Sequence, residues 1–258
     1  MKARRWKKGV NALADAGCWM GRTAGDTLST VDPDVYRHLA QVPLLAYTLF
    51  PPKKKTVLAG KSDGNAPLVF VHGLAGNCGN FRLMSAYLWL TGRKRSYSID
   101  FKDRSISKMS DQLAQFIEQI VHVTGEPKVE IVAYSRGGVV SRLAIAKQSL
   151  ESLVKTLITL GTPHSGTFPA RYANTPLTRE LLPNSAVFRE LSKYPWPKKV
   201  RGVTFWSKND LLIYPPEGAA MKGTLQVDVS PFTHFSYLVS PRSWELVRRA
   251  LNRESPLT

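Results

Sequence analysis

The chain has little of three features that narrow a protein's class: paired cysteines, acidic residues and long apolar runs. Its two cysteines, Cys18 and Cys78, fit no Cys-x-x-Cys or Cys/His spacing, so neither a zinc site nor a disulfide framework is predicted. No segment has the roughly 18 to 20 apolar residues of a membrane-spanning helix. The 258 residues include 19 Asp and Glu against 36 Lys and Arg, and this net charge of +17 attracts polyanions such as nucleic acid or anionic membranes.

The N-terminal residues 1–60 are predicted to form a basic, mostly helical extension. Five of the first eight residues are basic, but Asn11 and Asp15 stand where a signal peptide would have its apolar core. Trp6 and Trp19, followed by the apolar run VPLLAYTLF at 42–50, are typical of an interfacial membrane anchor. The alternative is a solvated basic tail followed by a helix that packs on the rest of the protein. With no recognisable signal, we expect the cytoplasm or the cytoplasmic face of a membrane.

From Pro67 onward, strand and helix patterns alternate. Short apolar runs such as PLVFVHG, KVEIVAYS and VKTLITLGTP are typical of strands buried on both faces, and segments with helical spacing separate them. This alternation predicts βαβ units and a mostly parallel sheet flanked by helices, hence the α/β class. Residues 165–199 interrupt the pattern and are expected to form a cap.

Ser135 lies between a strand-forming and a helix-forming run in VEIVAYSRGGVVSRLAIA (129–146). The pattern Ala-Tyr-Ser-Arg-Gly is that of a nucleophile elbow in which Ala133 replaces the first glycine. Small residues are needed there because the strand and the departing helix cross closely. The motif alone does not distinguish a nucleophile from an ordinary serine in a turn.

A nucleophilic serine requires a base and a group that orients the base, and candidates for both follow at predicted strand ends. Asp210 ends VTFWSKND, and His234 lies in SPFTHFSYL, before the final helix. The order Ser, Asp, His along the chain is that of the α/β-hydrolase fold. Attack of the serine on a carbonyl group would create an oxyanion, which two backbone N–H groups must stabilise. We assign these N–H groups to Leu74, after the strand VFVHG, and to Arg136.

The other histidines have different predicted roles. His72 is expected to shape the turn after its strand by hydrogen bonding. His164, directly after the LGTP strand end, is predicted to form part of the wall of the site. His38 and His122 lie in predicted helices upstream of the serine and fit a catalytic role less well.

The chain resembles bacterial lipases and esterases of the α/β-hydrolase superfamily over about residues 67–251. Six blocks in the family's order carry the resemblance: FVHGLAGNCGNF, IVAYSRGGVVSR, LITLGTPHSGT, LLPNSAVFRELS, SKNDLLIYPPEGA and HFSYLVSPRSWELV. It implies Ser135 as nucleophile, Asp210 as orienting acid and His234 as base, with Leu74 and Arg136 as oxyanion donors. No cofactor or metal is expected for this chemistry.

Two further expectations follow from the resemblance. Relatives commonly carry Gly-His-Ser-Met-Gly at the elbow, so Arg136 is a departure, and we hypothesise that it favours an anionic acyl or head group. The cap could supply an apolar acyl pocket, although packing of the cap onto the core explains most of its apolar residues equally well. These are Phe168, Tyr172, Leu177, Leu181, Leu182, Val187, Phe188 and Leu191.

The sequence therefore predicts that residues 61–258 form an α/β-hydrolase domain that cleaves carboxylic esters of lipids through a Ser-His-Asp triad and an acyl-enzyme. An acyltransferase with the same triad is one alternative. The other is a non-catalytic basic protein that binds anionic membrane or nucleic acid, although no nucleic-acid-binding module is recognised. Acyl chain length, head group and oligomeric state leave no mark in the sequence.

Overall fold

A computed structural model describes residues 33–48 and 62–255. Within them, six parallel strands form one sheet in the order β2-β1-β3-β4-β5-β6. The strands are β1 (Leu68–Val71), β2 (Ser96–Ser98), β3 (Val129–Tyr134), β4 (Val154–Leu160), β5 (Arg201–Trp206) and β6 (Leu225–Asp228). The predicted α/β class and the mostly parallel sheet are confirmed.

Helices cover both faces of this sheet. In chain order they are α1 (Pro33–Ala40), α2 (Val42–Thr48), α3 (Arg82–Leu90), α4 (Ile106–Thr124), α5 (Arg136–Lys147), α6 (Ala170–Ala173), α7 (Pro176–Arg179), α8 (Ala186–Leu191), α9 (Ser236–Val239) and α10 (Pro241–Leu251). The predicted cap, residues 165–199, contains the three short helices α6 to α8.

Alternate residues of the central strands enter two separate cores, because successive side chains of a strand point to opposite faces. Val69 and Val71 of β1 pack on one face with the buried stripes of α4 and α5. Leu68 and Phe70 pack on the other face with residues of α3 and α10. Both faces of β1 and β3 are fully buried, which explains why these strands read as continuous apolar runs.

Helix α4 has clear sequence signals at both ends. The Ser105 side chain accepts a hydrogen bond from the backbone N–H of Lys108, and Gly125 closes the helix in the left-handed conformation at φ +68°. Within the helix, Met109, Leu113 and Ile117 are buried in the core, as the helical spacing predicts.

The carboxyl edge of the sheet collects the predicted site residues. Parallel strands end at the same edge, so the segments after β1, β3, β5 and β6 converge there. The strand order also reverses between β1 and β3, since β1 has β2 on one side and β3 on the other. A crevice forms outside the strand ends at such a switch point, and Leu74 and Ser135 follow these two strands.

The described part of the N-terminal extension packs against the hydrolase fold. Leu45 of α2 contacts the core on the α3 and α10 face, and Gln41, between α1 and α2, hydrogen-bonds to the segment around Ser236. Residues 1–32 and 49–61 lie outside the described residues, as do the side chains of several α1 and α2 residues. None of the described helices has the length and apolar character to cross a membrane.

Candidate active site

Ser135 lies at a sharp turn directly after β3. Its backbone has φ +54° and ψ −125°, a region that non-glycine residues rarely adopt. The Ser135 N–H donates to the carbonyl of Leu160 on β4 at 2.8 Å, which holds the turn to the edge of the sheet. Such strain persists where surrounding structure enforces it, and it concentrates at functional sites.

The two glycines after the serine allow helix α5 to leave close to the sheet. A Cβ atom on Gly137 would lie 2.4 Å from the carbonyl oxygen of Val71, and one on Gly138 would lie 2.1 Å from Thr162 Oγ1. Ala133, by contrast, is fully buried and its methyl group belongs to the core. The predicted close crossing is therefore present, and alanine fits the position that glycine holds in related elbows.

Ser135, His234 and Asp210 form a hydrogen-bonded chain. His234 Nε2 lies 3.0 Å from Ser135 Oγ, and His234 Nδ1 lies 2.8 Å from Asp210 Oδ2. The other carboxylate oxygen, Oδ1, accepts the backbone N–H of Leu212 at 3.0 Å. All three side chains are nearly excluded from solvent, because Ser135, His234 and Asp210 are 7%, 4% and 4% exposed. This geometry lets Nδ1–H donate to the carboxylate while Nε2 accepts the serine proton.

Two buried tyrosines make the surroundings of the histidine apolar. Tyr134 and Tyr237 lie with ring centroids 4.9 and 6.3 Å from that of His234. Burial, and then the negative charge of Asp210, raises the pKa of both phenols well above 10, so both stay neutral. Interactions between charges are stronger in such an environment than in water.

Two backbone N–H groups are available beside the serine. The N–H of Leu74 donates to no acceptor in the described part of the chain, and Leu74 lines the same cavity as Ser135. The N–H of Arg136 belongs to the first residue of α5, a position that has no partner within the helix. His72 shapes the turn as predicted, with Nδ1 2.9 Å from the carbonyl oxygen of Gly73.

The side chain of Arg136 does not face the cavity. Its guanidinium donates to Glu180 at 2.7 Å and to the carbonyl of Arg104, and it is absent from the cavity lining. The expectation that this arginine favours an anionic acyl or head group therefore loses its structural basis. The elbow arginine instead joins α5 to the cap.

His164 does not form the wall of the site, contrary to the expectation from sequence. Its neighbour Pro163 lines the cavity next to Ser135, but His164 does not. The Nε2 atom of His164 instead lies 3.0 Å from Thr159 Oγ1. Arg142 donates to the His164 carbonyl at 2.9 Å. Burial, together with the charge of Arg142, lowers the His164 pKa well below 6.5.

A cavity of about 390 Å³ opens beside Ser135, His234 and Leu74. This volume falls within the range of roughly 300 to 1,000 Å³ that is usual for small-molecule sites. Its wall is mainly apolar and includes residues from α2, the cap, the segment after β5 and α9: Leu45, Ala170, Leu181, Leu212, Ile213 and Leu238.

The cap contributes less to this cavity than its apolar residues suggest. Of the eight apolar cap residues named from the sequence, only Leu181 lines the cavity. Leu182, Val187 and Phe188 pack against the core instead, and Phe168 and Tyr172 are exposed. Packing of the cap thus explains most of them.

Two site contacts have no sequence signal. His38 of α1 accepts the backbone N–H of His234 at 3.1 Å, and Gln41 bonds to Thr233, just before His234, and to Ser236, two residues after it. His38 and His234 are 196 residues apart in the chain, and no local pattern relates them.

The model of the palmitoyl protein thioesterase family matches residues 67–220, more than half of the chain. The chain belongs to this family. The matched span contains the elbow around Ser135 and the strand that leads to Asp210, and it ends before His234.

Individual relatives cover smaller parts of the chain. A triacylglycerol lipase of Pseudarthrobacter phenanthrenivorans is 29% identical over 111 residues, which is 39% of this chain and 34% of the lipase. An ethanol acetyltransferase of Cyberlindnera jadinii is 29% identical over 126 residues, 47% of this chain and 37% of that protein. The chain thus spans about a third of the length of the curated relatives it matches.

A solved structure establishes the fold independently. The mature form of a Bacillus licheniformis lipase superposes with a TM-score of 0.63 at 21% sequence identity, covering 75% of this chain and 95% of the lipase. The predicted resemblance to lipases and esterases of the α/β-hydrolase superfamily is confirmed by the family match and by the fold.

Proposed function

We propose that the protein is a serine hydrolase that cleaves acyl esters of lipids, with Ser135 as nucleophile, His234 as base and Asp210 as orienting acid. The observation that carries the proposal is the chain of short contacts from Ser135 to His234 and on to Asp210, at 3.0 and 2.8 Å, beside an apolar cavity. Membership of a thioesterase family and similarity to a triacylglycerol lipase support acyl substrates.

The mechanism follows from this geometry. His234 Nε2 accepts the proton of Ser135 as Oγ attacks the acyl carbonyl, and Asp210 stabilises the resulting imidazolium. The N–H groups of Leu74 and Arg136 donate to the oxyanion. The protonated His234 gives its proton to the leaving alcohol as the ester bond breaks. Water then repeats the sequence, which releases the fatty acid and restores the serine.

The lining of the cavity suits an apolar acyl group. Leu181, Leu212 and Leu238 line it, and no charged side chain of the described residues lines it apart from His234 when protonated. A carboxylate or phosphate group placed there would lose its hydration without gaining a counter-charge.

The decisive experiment compares the wild-type protein with Ser135→Ala on p-nitrophenyl esters from acetate to palmitate and on palmitoyl thioesters. We expect hydrolysis that disappears in the variant, and the preferred chain length reports the depth of the cavity. A serine-directed fluorophosphonate should label the wild type and not the variant. An unlabelled, folded wild-type protein that hydrolyses none of these substrates would contradict the proposal.

Acyl transfer is the second candidate, because one relative is an ethanol acetyltransferase. The same acyl-enzyme would react with an alcohol in place of water. Ethanol added to the ester assay should then divert the acyl group into an ethyl ester. If free acid is the sole product at high ethanol concentration, acyl transfer to ethanol is excluded and hydrolysis is the only reaction.

We further propose that residues 1–60 form a basic extension that attaches the hydrolase domain, 61–258, to an anionic membrane surface on the cytoplasmic side. The net charge of +17 and the tryptophans of the N-terminal segment support this role.

A further inference from the structure

The loop that carries the catalytic histidine is held by a part of the chain that the hydrolase resemblance does not cover. We call residues 229–235, between β6 and α9, the histidine loop. Within this loop, the backbone N–H of His234 donates to Nε2 of His38 on α1 at 3.1 Å. His38 is 1% exposed, and its ring meets that of Phe235 edge-to-face at 5.8 Å.

Gln41, one residue beyond α1, makes a second attachment. Its Oε1 accepts the hydroxyl of Thr233 at 2.7 Å, and its Nε2 donates to the hydroxyl of Ser236 at 3.0 Å. Thr233 and Ser236 are also bonded to each other, since the N–H of Thr233 donates to Ser236 Oγ at 3.0 Å. Thr233, just before His234, and Ser236, two residues after it, are therefore both bound to the side-chain amide of Gln41.

This attachment compensates for a weak point of the fold. The histidine loop leaves β6, a four-residue strand at the edge of the sheet whose Leu225 is half exposed. Without His38, the buried N–H of His234 would lack an acceptor, at a cost of about 1 to 3 kcal/mol. The loop would regain one only by moving, and the imidazole would move with it.

The hydrogen bond from the His234 N–H also determines the tautomer of the His38 ring. Nε2 can accept a hydrogen bond only with a free lone pair, so the proton is on Nδ1 and the ring is neutral. A neutral acceptor places no positive charge beside His234 at the moment when His234 becomes an imidazolium.

We propose that His38 and Gln41 are positioning residues for His234, and that segment 33–48 is part of the catalytic unit rather than a detachable tail. This inference rests on the proposed role of His234 as the base. Because a misplacement of about 1 Å can cost 100-fold in rate, loss of either attachment should lower kcat.

The test compares three variants of α1 in the full-length protein. His38→Phe keeps an aromatic ring against Phe235 but removes the acceptor, whereas His38→Gln places an amide oxygen near the position of Nε2. Leu39→Ala, at a 39% exposed position of the same helix, is the matched control. We expect His38→Phe to lower kcat about 10- to 100-fold with KM within about twofold. His38→Gln should recover most of the activity, and Leu39→Ala should not differ from wild type.

Gln41→Met provides a second test, because it keeps the length of the side chain while removing all of its hydrogen bonds to Thr233 and Ser236. Like His38→Phe, this variant should have a lower kcat than the wild type, and its melting temperature should be unchanged. Full activity in Gln41→Met, or equal losses in His38→Phe and His38→Gln, would overturn the proposal. If His38→Phe does not fold, Gln41→Met and His38→Gln still decide the question.

A spectroscopic readout separates this proposal from the proposed function. The His234 Nδ1–H, bonded to Asp210, should give a strongly deshielded proton resonance in the wild type and in Ser135→Ala. It should disappear in His38→Phe and persist in His38→Gln, whatever substrate the protein hydrolyses. A resonance unchanged in His38→Phe would contradict positioning, while absence of hydrolysis with the resonance behaving as expected would contradict only the proposed reaction.

Discussion

At the scale of single residues, the buried His164 lies beside the partly buried Arg142, and neither partner of this pair is acidic. Arg142 donates to the His164 carbonyl, and burial lowers the pKa of Arg142 to about 10. The His164 pKa lies well below 6.5 because of burial and the nearby guanidinium. Protonation of His164 would place a second positive charge beside the Arg142 guanidinium, so the folded state favours the neutral ring.

This requirement predicts a pH-dependent stability. The unfolded chain protonates His164 near pH 6.5, and the folded chain does so only at lower pH. The stability contribution is therefore complete above pH 6.5 and is lost as the pH falls from there towards the folded-state value. Between about pH 7.5 and 5.5, the free energy of unfolding of wild type relative to His164→Gln should fall by about 1 kcal/mol.

Denaturant titrations at the two pH values provide the measurement. His122→Gln, at an exposed position of α4, is the matched control for losing one histidine. A constant difference between wild type and His164→Gln across this range would mean that His164 accepts a proton in the folded state without cost.

The limits of sequence-based prediction are also visible among single residues. Ser135 could be proposed from the sequence because the elbow is a local pattern, and Asp210 and His234 because both follow strands that end at one edge of the sheet. His164 met the same criterion, yet its ring turns away towards Thr159, since side-chain direction after a strand end depends on the packing around it. His38 had no signal at all because its role depends on tertiary contact.

At the scale of elements, Glu180 links three parts of the fold. It follows α7 in the cap, accepts a hydrogen bond from Arg136 of the elbow helix at 2.7 Å, and accepts the N–H of Ile106 at the start of α4 at 3.1 Å. The Arg136 side chain is 3% exposed and that of Glu180 is 24% exposed. The cap is therefore bound to α5, the helix that begins directly after Ser135, the proposed nucleophile.

Glu180→Gln should destabilise the protein because it leaves the buried Arg136 guanidinium without a counter-charge. We expect a loss of about 2 kcal/mol in the free energy of unfolding. Glu190→Gln is the control, since Glu190 pairs with Lys193 at the same distance of 2.7 Å but on the surface, and no measurable change is expected there. Thermal and urea unfolding of both variants would measure the effect, and equal stabilities would mean that the cap is held by its apolar contacts alone.

The elements themselves were largely predictable from residues. The buried strands and the long helices appeared in the sequence because their periodicities and helix ends are local. The run SYSIDF at 96–101 has a strand-like pattern, but β2 covers only Ser96–Ser98, because it is an edge strand paired only with β1. The direction of the cap residues was not predictable, since a short helix can turn the same apolar residues towards either the core or the cavity.

At the scale of the whole molecule, the excess of positive charge is the dominant feature. Phe168 and Tyr172 are 38% and 48% exposed next to Ala170, which lines the cavity. Arg171 lies between them with its guanidinium 5.1 Å from the Phe168 ring centroid. An apolar and basic surface near the cavity suits contact with an anionic bilayer.

We therefore expect the protein to sediment with phosphatidylglycerol vesicles and much less with phosphatidylcholine vesicles. Binding should weaken as NaCl rises from about 50 to 300 mM, because salt screens surface charges beyond about 10 Å. Deletion of residues 2–31 should weaken binding and leave hydrolysis intact, since it stops before α1. Undiminished binding of this deletion variant would refute the anchor, whereas deletion through residue 55 would also remove His38 and Gln41 and so could not separate the two roles.

The distance along the chain between His38 and His234, which binds it, has a consequence for biosynthesis. His38 and His234 are separated by 196 residues. At about 5 to 20 residues per second, the ribosome needs roughly 10 to 40 s to make the second after the first. During that interval α1 has no histidine loop to bind, although the strands β1 to β5 emerge in order. His234 is made after the last strand, β6, so the proposed triad is incomplete until then, and α1, the first helix of the described fold, is among the last elements to reach its final contacts.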